Sequence, residues 1–217
     1  VPPVPTPRAP SVPVELADVA PTALSHDETL SELAIGGADL SGQVAHGVTL
    51  RGCALTGTDL SGSRLDAFGL TDTTLRGCNL ANLSAPRGSL MGVTIGESRM
   101  TGMAFSGGLL RDVVIRGCRV DLASFGGCRL QRVSFEDCRL TQTDFLEAEL
   151  DAVRFTGCDL TETDLRGARL RRCELRSNRL DGLIGVAALR GAALRWVDIV
   201  EAAPLWAGAL GITVLED

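Results

Sequence analysis

The chain has 217 residues, is 45% hydrophobic but only 4% aromatic, and carries 21 basic residues, all arginine, against 27 acidic ones, a net charge of −6. Having no lysine, it offers neither a P-loop lysine nor a Schiff-base lysine. Its apolar runs are too short for a membrane-spanning helix, and its first thirty residues lack a basic start followed by an apolar core, so neither a membrane partner nor a secretory leader is expected.

Residues 1–27 hold seven of the nine prolines. This composition predicts a flexible or polyproline II-like tail, with a proline-docking ligand as the alternative reading.

From Leu30 to Leu180 the chain repeats every five residues. All 31 positions divisible by five are apolar: 29 are Leu, Ile, Val, Met or Phe, and the other two are Ala45 and Ala85. The residue two before each is usually small or thin, and all seven cysteines fall in this register, among them Cys53, Cys78, Cys118 and Cys173. Glycine is frequent two residues after the large one, as at Gly52, Gly57 and Gly117. A period of five is neither helical nor that of a simple strand. It predicts a chain that turns a corner every five residues, with one large and one small side chain pointing inward per repeat. Four repeats close a square coil of twenty residues. The series Val93, Val113, Val133, Val153 and Phe105, Phe125, Phe145 support twenty, since like residues then stack on like. Leu83 and Ala85 trade the large and small roles, which conserves volume.

The triplets Ala38-Asp39-Leu40, Cys78-Asn79-Leu80, Cys158-Asp159-Leu160 and Thr163-Asp164-Leu165 carry the motif of a known family. Over about 155 residues, Glu28 to Gly182, the chain resembles the pentapeptide-repeat proteins. The resemblance implies an all-β fold, a right-handed quadrilateral parallel β-helix of about eight coils. It also implies that a C-terminal helical module could dimerise. Some members of the family resemble duplex DNA in shape and charge, occupy the DNA-binding saddle of gyrase, and confer resistance to quinolones or other gyrase poisons. A homodimer and DNA gyrase are therefore the partners the resemblance implies.

Residues 183–217 break the frame. Two further repeats, 187–191 and 192–196, are slipped by one residue. Asp198 with Glu201 reads as a capping box, Pro204 as a kink or a second helix start, Gly211 as a stop, and 212–215 as a short strand. Trp196, Ile199, Val200, Ala203, Trp206 and Leu210 are the candidate dimer interface. The other reading is a monomeric cap that buries both tryptophans.

Chemistry is scarce. His26 and His46 are the only histidines and lie before or at the first coil, so no catalytic residue is proposed. The Cys118, Cys138, Cys158 column is read as small inward packing, and no metal or cofactor is expected. The absence of any Cys-x-x-Cys pair suggests reduced thiols and a cytoplasmic location. Residues 50–180 hold 18 arginines and 16 acidic residues, so the negative charge belongs to the ends. One side of the rod gathers Arg51, Arg111, Arg129, Arg132, Arg169, Arg171 and Arg172. It is either a face of cross-coil ion pairs or a partner-docking face. Direct nucleic-acid binding is not expected, because there is no tyrosine and the phenylalanines point inward.

Overall fold

A computed structural model describes residues 3–215. The repeats form a parallel β-solenoid of about nine turns, followed at its C-terminal end by a 3-10 turn, Val186–Leu189, and two short α-helices. At about 4.8 Å per coil the rod is about 43 Å long. Five eight-residue strands form its central wall: Gly69–Arg76, Ser89–Gly96, Leu109–Arg116, Arg129–Glu136 and Glu149–Thr156. Each pairs with the next twenty residues on, as Val93, Val113, Val133 and Val153 do. The first coil keeps this register despite Gln43 and Ala45, since Val44–His46 pairs with Arg64–Asp66.

The solenoid has about one turn more than the repeat count predicts. Ala193 pairs with Glu174, a step one residue short of twenty, and Ala17 pairs with Leu33. Both irregular ends therefore extend the ladder.

Every corner has the same backbone. From Asp27 to Gly182, each fifth residue has φ between about 46° and 70°. Glycine takes this left-handed conformation without penalty, yet 17 of the corners carry another residue. Leu122 is the bulkiest aliphatic case, at φ 59° and 58% exposed. A non-glycine residue pays about 1 kcal/mol there. Leu122→Gly is therefore expected to stabilise the rod by about 1 kcal/mol in urea unfolding, while Leu122→Ala, which keeps the strain, should be close to neutral.

The interior is one side chain wide. Phe125 stacks on Phe145 and Phe135 on Phe155, with ring centroids 5.2 and 5.0 Å apart. The small register has a task beyond being small. Thr58, Ser63, Thr143 and Thr163 donate to the carbonyls of Ile35, Leu40, Val120 and Leu140, always 23 residues earlier. The thiols aim at the same target: Cys78 at Leu55, Cys138 at Ile115, Cys173 at Leu150. Cysteine, serine and threonine thus share the register because each is thin and carries one donor.

The sequence allows a flexible or a polyproline II-like tail over residues 1–27; from residue 3 onward the described chain is held against the rod rather than free. Residues 3–13 have no regular secondary structure but lie along one corner of the solenoid, held by Asp72, Asp112 and Arg154. Leu24 then folds under the first coil, where its N–H points to the Gln43 side chain and its own side chain is buried.

Candidate interaction surfaces

The parallel register brings the seven arginines to one side of the rod. Arg129 and Arg169 flank Glu149 across coils, at 3.4 and 3.6 Å. Arg132 makes two hydrogen bonds to Asp112, at 2.6 and 2.7 Å, and Arg172 clasps Asp151. Arg111 donates to Gln131 at 3.0 Å. The Arg132 guanidinium holds the Asp112 carboxyl below its ordinary range. Among the described residues, Arg51 and Arg171 alone of the seven make no such side-chain contact. The stripe is largely neutralised by its own carboxylates, each exposed pair contributing about 0–1 kcal/mol.

The C-terminal end is built differently from its sequence reading. Helix α1 spans Trp196–Glu201 and α2 spans Ala203–Ala209, with Pro204 in the first turn of α2. Arg195 precedes α1 and no side chain caps it, so the capping box does not form. Asp198 turns instead to the solenoid. It accepts from the Ser177 N–H and from the Arg195 guanidinium, and it is 4% exposed. A carboxylate satisfied by the last coil has no need of its own helix N-terminus. Residues 212–215 form no strand.

The six interface candidates divide into two groups. Trp206 is half-buried; its Nε1 donates to the Ile199 carbonyl at 2.9 Å and it packs with Leu205 against the core. Ile199 is half-buried beside it, lining a cleft with Leu189, Leu194 and Trp206. These two residues belong to the cap. Trp196 is 80% exposed, and Val200, Ala203 and Leu210 are exposed as well. Half of the large exposed apolar residues in the described chain lie beyond Arg195.

All seven cysteines are unpaired and buried. Burial pushes the Cys128 thiol up to about 11 and raises Cys78 and Cys173. Thiols held neutral in an uncharged core are poor nucleophiles. The two histidine rings lie 4.4 Å apart and tilted by 41° on an exposed surface, with His46 3.2 Å from Asp27. Among the described residues no cluster of three or more His, Cys, Asp or Glu has metal-holding geometry. Among the described residues no helix is long and apolar enough to cross a membrane.

The corner occupied by residues 3–13 was not anticipated as a site. Its available signal is the spacing of Pro7, Pro10 and Pro13.

Two repeat models match the chain, one for a pentapeptide repeat region at residues 117–183 and one for pentapeptide repeats at residues 30–66. No curated protein matches it. Among solved structures it is similar to HetL, a pentapeptide repeat protein involved in heterocyst differentiation regulation in the cyanobacterium Nostoc. That match has 19% identity and a TM-score of 0.37, and covers 78% of this chain and 90% of HetL. It is also similar to QnrB1, a plasmid-mediated fluoroquinolone resistance protein, at 18% identity and a TM-score of 0.32, covering 87% of this chain and all of QnrB1. With two repeat models matched and a solenoid that turns every fifth residue, the chain belongs to the pentapeptide-repeat family.

Proposed function

We propose that the protein is a non-enzymatic interaction rod that self-associates through the outer face of its C-terminal helices. The observation that carries this reading is the exposed apolar surface at that end, formed by Trp196, Val197, Val200 and Leu210. Exposed apolar surface gathered at one place marks an association site rather than ordinary solvent contact. A two-fold contact there gives a rod about twice the length of one protomer. Ile199 and Trp206 hold the cap in place beneath that face.

For the partner we propose DNA gyrase, with protection against gyrase poisons as the outcome. The uninterrupted rod between Leu50 and Leu180 and the acidic ends support it. The mode is recognition of shape without projecting loops, because the middle of the rod is close to neutral. That neutrality favours the second reading, a scaffold or interaction module for another protein. Buried, reduced thiols fit a cytoplasmic protein under either reading.

Gyrase supercoiling and poison-induced cleavage, titrated with the full chain, test the partner. Inhibition or protection at micromolar protein is expected, and Val200→Asp should elute as a monomer and lose the effect. A dimer without effect on gyrase sinks the gyrase reading and leaves the scaffold. A wild-type chain that elutes as a compact monomer sinks the self-association.

A further inference from the structure

The first described residues touch the rod with a period of three. Val4, Pro7, Pro10, Pro13 and Leu16 are covered, whereas nearly all residues between them are exposed, Val12 being the exception. A three-residue period is that of a polyproline II helix laid with one edge against a surface.

The surface beneath is distinct from the rest of the rod. At three of the four corners no residue between 27 and 182 is buried. At the fourth, Gly52, Gly92 and Ala152 are buried, and Asp72, Asp112 and Arg132 are half-buried. Ser134, which points outward from the adjoining strand, is only 4% exposed. This one corner is therefore a covered track. A Cβ on Gly52 would sit 3.2 Å from Pro13, and one on Gly92 would meet Asp72 and approach Arg8. The two missing side chains make room for the strap.

The spacings also agree. Three polyproline II residues advance about 9.3 Å, and two coils about 9.6 Å. The backbone N–H of Ser11 donates to Asp72 and that of Arg8, three residues earlier, to Asp112, forty residues later; both bonds are 3.1 Å. The Arg8 guanidinium reaches back to Asp72, also at 3.1 Å, and Arg154, about two coils further, donates to the Val4 carbonyl. The prolines give up no donor that the track needs, and they reduce the entropy lost on docking.

We propose that this corner is a recognition track for a polyproline II segment of the pattern Pro-Arg-x-Pro-x-x-Pro, and that residues 3–16 of the chain are its intramolecular ligand. The strap shields the Asp112–Arg132 edge of the arginine side, so its release opens that edge. The inference stands apart from the gyrase reading.

Arg8 is the only basic residue before Arg51, so trypsin cleavage after Arg8 reports release of the strap in the full chain. Ser11→Pro keeps the polyproline shape, deletes one donor and leaves the solenoid untouched; Asp72→Asn weakens the acceptor. Both are expected to speed this cleavage at least tenfold with unchanged circular dichroism. A full chain carrying Arg8→Pro and Ser11→Pro should then bind a labelled synthetic peptide of residues 3–16 at micromolar concentration, and the Ser11→Pro peptide at least tenfold more weakly. Equal cleavage rates in wild type and both variants overturn the proposal. So does a peptide that shows no saturable binding, or one that binds equally well with Ser11→Pro.

Discussion

Gly108→Ala is expected to lower the stability of the rod by about 3 kcal/mol, measured as a shifted urea midpoint at constant slope. A Cβ at this position would lie 2.5 Å from the Phe105 ring and 2.8 Å from the Gly88 carbonyl oxygen. Gly88 is in the same situation, 2.5 Å from the other edge of that ring and 2.9 Å from the Phe68 carbonyl. Phe105 is thus seated in space that two glycines of neighbouring coils vacate. Relief is difficult, because the flanking strands are hydrogen-bonded to coils on both sides and cannot part. Phe105→Leu in the Gly108→Ala background should recover at least 1 kcal/mol, since a smaller side chain frees the volume the methyl needs. A cost below about 0.5 kcal/mol for Gly108→Ala would show that the ring is not the constraint.

Asp198→Asn is expected to cost about 2 kcal/mol, taken from the cap rather than the whole rod. The carboxylate accepts from Ser177 at 3.2 Å and from Arg195 at 2.7 and 3.0 Å, where an amide oxygen meets fewer donors with no charge. The Arg195 hydrogen bonds, against burial and with help from the Ser177 N–H, hold this carboxyl below its ordinary value. A depressed folded-state value means the stabilisation is complete above the unfolded carboxylate range, about 3.9, and is lost as pH falls through the lower folded value. Trp196 and Trp206 are the only tryptophans, and there is no tyrosine, so intrinsic emission reports this end alone. Acid titration should shift the emission to the red below about pH 4 in the wild type. The variant should be shifted at neutral pH and show a smaller acid step. An unshifted variant would mean that Asp198 does not anchor the cap.

The five-residue period by itself determined the coil, its twenty-residue register and the inward identity of nearly every large side chain. The reason is local: a one-side-chain tube repeats the same steric demand at each corner, so Leu40, Ile95 and Phe145 are placed by spacing alone. It also placed the cysteines indoors, although only the coil-to-coil geometry supplied the carbonyls they point to. What spacing could not place were groups whose partners are distant in sequence. Asp198 looked like a helix cap because its neighbours suited one, and the last coil claimed it instead. The arginines of one side were legible as a stripe, but their neutralisation by Asp112, Glu149 and Asp151 depends on side-chain reach between coils. The proline-rich segment looked free because composition records its stiffness and not its neighbours. Asp72 and Asp112 lie 61 and 104 residues from the N–H groups they accept. Only the tertiary structure decides such a contact, because a covered corner exists only once the coils beneath it have stacked.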